Sequence, residues 1–231
     1  MQKERNAAVS KGNKRRQSLN LGHIIDVAVG LADEIGVDAL TIRKLSTALD
    51  VKPMTIYHYV SNKETIIDGM VDKVFSEIDL PQMNIHWKHA IQRRSESARA
   101  VLARHPWAVP LMESRRTPGA STLRQHDAVI GCLRKGGLSV EMTAHAYAVI
   151  DAFIYGFAIQ EASLPATSGN EMAELAESIM ETTAMSEYPH LMELTTQHVL
   201  QPGYDFGNEF EFGLNLILDG LESTSIDCMC S

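Results

Sequence analysis

Residues 41–63, TIRKLSTALDVKPMTIYHYVSNK, hold two short helical patterns with almost nothing between them. Thr41 can cap a helix in which Ile42, Leu45 and Leu49 share a face. A second pattern begins near Pro53 and reaches about Val60. Proline suits the first turn of a helix, because its missing N–H has no partner there. Asp50 to Lys52 leave room only for a tight turn. Two helices so joined read as a helix-turn-helix, whose second helix can lie in the major groove of DNA.

The second helix is oddly composed for one that only packs. Val51, Ile56 and Val60 can serve a core, which leaves Lys52, Pro53, Met54, Thr55, Tyr57, His58 and Tyr59 pointing elsewhere. Tyr and Thr hydroxyls and Lys ammonium groups suit phosphate contacts, while Thr, Met and Pro can rest against a thymine methyl. The competing reading is an aromatic face that packs on a second domain.

Upstream, Leu21 to Ile35 reads as a helix with Ile24, Val27, Ala28, Leu31 and Ile35 as its buried stripe, closed by Gly36. Val37 and Leu40 complete a small core. Downstream, Ser61-Asn62-Lys63-Glu64 reads as a capping box in which Ser61 accepts from the Glu64 N–H. The connector helix behind it runs to about Ile78, and its N-terminus with Lys63 offers a phosphate contact. Asp79-Leu80-Pro81 ends it. Residues 1–20 are polar and basic, with Lys11, Lys14, Arg15 and Arg16 clustered, and read as a flexible tail or a DNA-following arm.

The run IDVAVGLADEIGVDALTIRKLSTALDVKPMTIYHYVSNKETIIDGMVD resembles the N-terminal domain of the tetracycline-repressor family of bacterial transcription regulators. The matching pieces are ADEIGVDALTIRKLSTALDV, the core Thr55-Ile56-Tyr57-His58-Tyr59-Val60 and the helix opening Ser61-Asn62-Lys63-Glu64. A fainter likeness to the tetracycline repressor's own branch lies in FGLNLILDGLES, residues 212–223. The resemblance implies an all-α chain with a flexible basic tail over 1–20. A three-helix, homeodomain-like DNA-binding domain with its connector follows over 21–80, and a larger helical ligand-binding and dimerisation domain over 81–231.

Carried over position by position, the family pattern places Arg43 near the start of the first helix of the motif, within reach of a base edge or phosphate. Thr55, Tyr57 and Tyr59 resemble residues that position the backbone. Lys52, Pro53, Met54 and His58 hold the variable positions that choose sequence, and Lys63 is the phosphate contact. In the family, two long body helices form a four-helix bundle with a second subunit, so that two heads read a palindrome in double-stranded DNA. The family also implies a small-molecule effector. Candidates by position are His105, Trp107, Met112, His126, Tyr147, Asp151 and Tyr155. One departure matters: where the tetracycline repressor holds its drug's magnesium with a histidine, WAVPLMESRRTP offers Pro110. Neither tetracycline nor any metal or cofactor is therefore expected.

The rest of the chain fits this outline. From residue 82 on it reads as all helix: Trp87 to His105, a short turn over Trp107 to Glu113, Ser121 to Lys135, a long apolar helix capped by Ser139 and ended by Pro165, one over 171–185, irregular chain over 186–205, and a last helix from Phe206 to about Glu222. Asp151 and His145 interrupt the long apolar helix, and burying either without a partner is expensive. Residues 1–63 carry 10 Lys+Arg against 6 Asp+Glu, a surplus of +4. The remainder carries 11 against 23, or −12, so the positive charge sits on the proposed reading head. Cys132, Cys228 and Cys230 form neither a disulfide framework nor a zinc site, which fits a reduced, cytoplasmic setting. No uncharged apolar run reads as a membrane span, and the basic N-terminus lacks a secretory signal's apolar stretch.

Two other readings compete with an effector-controlled repressor. The body can bind a protein partner in place of a small molecule. More remotely, the chain can be a helical enzyme built on His86, His89, His105, His126, His145, His190 and His198. No H-E-x-x-H, glycine-rich phosphate loop or nucleophile elbow supports the enzyme.

Overall fold

The computed structural model describes residues 19–165, 169–182 and 187–229, so the basic cluster of the tail and Cys230 lie outside the described residues. Every regular element among them is helical. Helices α1 (Leu21–Ile35), α2 (Ile42–Ala48) and α3 (Pro53–Ile56) form the head, and α4 (Lys63–Glu77) follows. The body contains α5 (Trp87–Arg104), a 3-10 turn over Pro106–Ala108, α6 (Val109–Met112), α7 (Ala120–Lys135), α8 (Val140–Ser163), α9 (Gly169–Thr182), α10 (Pro189–Leu194) and α11 (Asn208–Met229).

In the head, Thr41 caps α2 by accepting from the Lys44 N–H at 3.2 Å. The turn to α3 closes as a Schellman motif, with Val51 N–H donating to Ser46 O and Asp50 N–H to Thr47 O. Asp50 takes the left-handed position of that motif at φ 53°, which aspartate tolerates better than most side chains. Ile24, Ala28, Leu45, Ile56 and Val60 are buried and fix the angle between the helices. The inward stripe of α1 is Ile24, Ile25, Ala28, Val29 and Ala32, whereas Ile35, expected inside, is exposed on the helix's last turn.

Helix α4 packs on α1 and on α7, so a single core cluster runs from Ile24 to Leu218. Its cap differs from the expectation. Asn62 accepts from the Thr65 N–H at 2.9 Å, and Ser61 pairs with the Thr65 hydroxyl. Asparagine one residue closer to the helix captures the orphan N–H first. Helix α3 is also shorter than expected. Its α-helical bonds stop at Ile56, and Tyr57 to Tyr59 continue as tight turns, in keeping with the poor helix propensity of Thr, Ile, Tyr, His and Val.

The body is built round α8, which packs against α5, α7 and α11. Its N-cap is Ser139, accepting from Met142 at 3.0 Å. By length and composition α8 is apolar enough to cross a membrane, and it is the one such helix among the described residues. Its inner face, including Ala146, Ile150, Ile154 and Phe157, is packed on its helical neighbours. Residues read as irregular over 186–205 in part form α10 and a π-turn over Thr195–Val199, with Pro189 at a helix start. The last helix runs on to Met229, and along it the Ser223 and Thr224 hydroxyls donate back to Asp219 O and Gly220 O.

Exchanging caps should separate the two roles at residues 61 and 62. Asn62→Ala is expected to cost about 1 kcal/mol in urea unfolding, and Ser61→Ala only a few tenths, roughly.

Candidate nucleic-acid interface and body site

The Schellman turn and the buried Ile56 present one end of the head to solvent. Met54 is 70% exposed, Tyr57 44% and Tyr59 42%, an unusual amount of large apolar surface on a short segment. Lys52, Pro53 and His58 are exposed beside them, and Thr55 is half-buried. Arg43 is exposed on α2, where its carbonyl accepts from Ser46 and Thr47 hydroxyls, which holds the backbone at that point. Lys63 opens α4 and is half-buried. The structure thus collects Lys52, Pro53, Met54, Tyr57, His58 and Tyr59 on one exposed end, with Thr55 turned partly inward.

The seven body candidates separate into two groups. His105 and Trp107 turn their polar atoms toward the head. Trp107 Nε1 donates to Asp33 Oδ1 at 2.6 Å, and His105 Nδ1 meets the same oxygen at 2.7 Å. His105 Nε2 meets Glu77 Oε2 at 3.2 Å, and Arg104 donates to Glu77 at 2.9 Å. These bonds join the α5–α6 junction to α1 and α4. Burial alone would raise the Glu77 pKa, but hydrogen bonds from Arg104 and His105, with Lys73 nearby, outweigh it and hold the carboxyl below its ordinary value.

Met112, His126, Tyr147, Asp151 and Tyr155 form the second group. Met112 and His126 line a pocket of about 180 Å³ that also touches Asp68 and Val71 of α4. His126 Nδ1 is hydrogen-bonded to the Tyr147 hydroxyl, and its ring leans on Phe75 at 5.5 Å. Asp151 is buried and meets Arg94 Nη1 at 3.4 Å. The pKa values of Tyr147 and Tyr155 are pushed far up by burial, reinforced by the Asp151 charge, so both phenols stay protonated. His145, the other polar residue of α8 singled out in the sequence, is exposed beside Glu141.

Several contacts between α4 and the body have no signal in the local sequence. Arg115 reaches Asp68 at 2.6 Å and Glu64 at 2.7 Å. Asp72 accepts from the Thr122 N–H at 2.8 Å, so a carboxylate of α4 caps α7. Gly119 is required there, since a Cβ would lie 2.2 Å from the Asp72 carboxyl carbon. Gln125 donates to Phe75 O and Ile78 O at the end of α4. His86 and His89 sit with ring centroids 6.1 Å apart, and no three-residue metal cluster occurs among the described residues.

Comparison with known proteins places this geometry. Residues 24–70 match the model of bacterial regulatory proteins of the tetR family, and residues 80–225 match the tetracyclin repressor-like C-terminal domain. The HTH-type transcriptional repressor DrrR1 of Streptomyces coeruleorubidus is 28% identical over 222 residues, covering 92% of this chain and 80% of that protein. The class A tetracycline repressor protein from transposon 1721 of Escherichia coli is 25% identical over 201 residues, covering 86% of this chain and 88% of its own. A crystal structure of a possible TetR family regulator from Streptomyces coelicolor A3(2) superposes with a TM-score of 0.71 at 26% identity, covering 89% and 100% of the two chains.

Asp33→Ala strands Trp107 Nε1 and His105 Nδ1, and should lower the unfolding free energy by about 1–3 kcal/mol. Glu77 has a lowered folded pKa, so its contribution is present above its ordinary value of 4.5 and is lost as the pH falls below that. Glu77→Gln should flatten this part of the stability–pH curve, as read by thermal melts between acid and neutral pH.

Proposed function

The chain belongs to the tetracycline-repressor family of bacterial regulators, and on that premise we propose that it is a homodimeric repressor released from a palindromic operator by a small molecule bound in its body. It is a DNA-binding, ligand-responsive regulator of transcription; dimer, palindrome, repression and effector site are the proposal. The exposed end of the head carries it. Met54, Tyr57 and Tyr59 leave large surfaces in water, beside Lys52 and His58, and a duplex groove both covers and neutralises them.

The dimer is supported by the outer faces of α8 and α11. His145, Val149, Ala152, Gly156, Ile159 and Ser163 are all exposed at alternating steps of four and three residues, the period of a helix seam. On α11, Phe212 is 65% and Leu216 59% exposed. Two copies of these helices can bury one another's seams, as the family's four-helix bundle does. Each subunit then presents one reading head, and twofold symmetry requires a twofold site. The Met112, His126, Tyr147, Asp151 and Tyr155 group supplies the effector site, and the bonds from the body to α1 and α4 carry its state to the head. A cytoplasmic location goes with acting on bacterial DNA.

Selection of bound fragments from random duplex DNA tests the reading. A palindromic winner bound by two chains supports it, and absence of any enriched sequence counts against it. Tyr57→Ala should weaken binding to cognate and random DNA alike. Met54 substitutions should shift base preference by about 1–3 kcal/mol at one position of each half-site. The double variant Ile159→Glu, Leu216→Glu should sediment as a monomer and lose operator affinity by roughly 100-fold or more, since each head then binds alone.

A further inference from the structure

His105 ends α5, and its ring lies between one carboxylate of α1 and one of α4. Nδ1 is 2.7 Å from Asp33 Oδ1, and Nε2 is 3.2 Å from Glu77 Oε2. The residue is 6% exposed, so water has little access to either nitrogen. Neutral imidazole has one N–H and one bare nitrogen, whereas imidazolium donates from both. Ionised carboxylates only accept. A neutral ring in this position therefore sets a lone pair against a carboxylate oxygen on one side. Only the doubly protonated ring makes both bonds.

The surrounding charges favour the same state. Glu77 Oε2 accepts from Arg104 at 2.9 Å, and Lys73 lies 3.8 Å from Oε1 and 3.9 Å from Asp26 Oδ1. Asp33 has no such cations. Its Oδ1 accepts from the neutral indole of Trp107 at 2.6 Å, and the His105 ring is its one ion-pair partner among the described residues. Around the ring, α1 thus supplies Asp33, with Asp26 behind Lys73; α4 supplies Glu77 and Lys73; and α5 supplies Arg104. Helices α6 and α8 also pack on the 3-10 turn that follows. Their inner ionisable groups, Tyr147, Asp151 and Tyr155, and Glu113 at the end of α6, make no bond to the ring.

We propose that His105 is a proton-operated latch between head and body. With the ring protonated, the junction of α5 with the turn is tied to α1 and α4 at once. With the ring neutral, one of the two ties opens. The latch is therefore closed below the midpoint of the ring and opens as the pH rises through it. At the acid end it needs both carboxylates ionised. Burial works against that at Glu77, but the bonds from Arg104 and His105 hold its carboxyl below the ordinary value. The latch itself stands on this geometry, and its consequence rests on the regulator reading above: the body's state reaches the heads more firmly at acid than at alkaline pH.

NMR of the histidine rings, paired with amide hydrogen exchange corrected for its intrinsic rate, tests this on the full chain without DNA from about pH 5 to about pH 8. His105 should carry protons on both nitrogens at the acid end, and protection over α1 and α4 should fall severalfold as it loses one. His105→Gln should lack that step, although the other eight of the nine histidines remain. A ring that keeps one charge state throughout overturns the assignment. So does a titration that leaves protection over α1 and α4 unchanged, or a step that persists in His105→Gln. If that variant does not fold, coincidence of the ring midpoint with the protection step in the unaltered chain decides alone. Operator binding by the same sample separates failure of the latch from failure of the regulator reading.

Discussion

Helix α4 must satisfy the head and the body at once, and the rest of the structure follows from that constraint. Its apolar residues Ile66, Met70, Val71, Val74 and Phe75 are buried where it crosses α1 and α7. Its acidic residues Glu64, Asp68 and Asp72, four apart, are held by Arg115 and by the N-terminus of α7. At its far end Gln125 binds its last carbonyls, and Glu77 meets Arg104 and His105. An element fixed at so many points cannot follow one neighbour without displacing the other. That is the physical content of the proposed link between an effector in the body and the spacing of two heads.

The body accepts unsatisfied polar groups in its middle, each worth roughly 1–3 kcal/mol of lost stability. Firm packing elsewhere offsets this. Phe157 stacks on Phe206 and meets Phe210 and Phe153, and Arg99 lies 5.0 Å above the Phe157 ring while bonding Glu161 and Gly207 O. Lys88 ties α5 to Asp219 and Glu222 of α11.

Features governed by neighbouring residues were legible in the sequence. Thr41 and Ser139 announce their helices, and the composition of Lys52 to Tyr59 marks a surface that waits for a partner. Errors arose where two local candidates compete, as with Ser61 and Asn62, or at a helix end, as where the last helix was expected to stop near Glu222 and runs on to Met229. Contacts between the head and body were hidden for a different reason. Asp33 lies 74 residues from Trp107, Asp68 47 from Arg115, and Arg94 57 from Asp151, and no local period records such pairs. His105 and Trp107 were singled out as effector candidates by position alone, and the bonds of their polar atoms to α1 and α4 had no signal in the sequence.

Coupling between DNA and effector sites is reciprocal, so operator binding must itself be felt in the body even before an effector is known. Amide hydrogen exchange of the full chain, free and operator-bound, measures this directly. Altered protection at residues 41–63 accompanied by changes over 115–126 and 143–155, the latter lost in Arg115→Ala while DNA is still bound, is the expected result. Changes confined to residues 41–63 would contradict a link through α4.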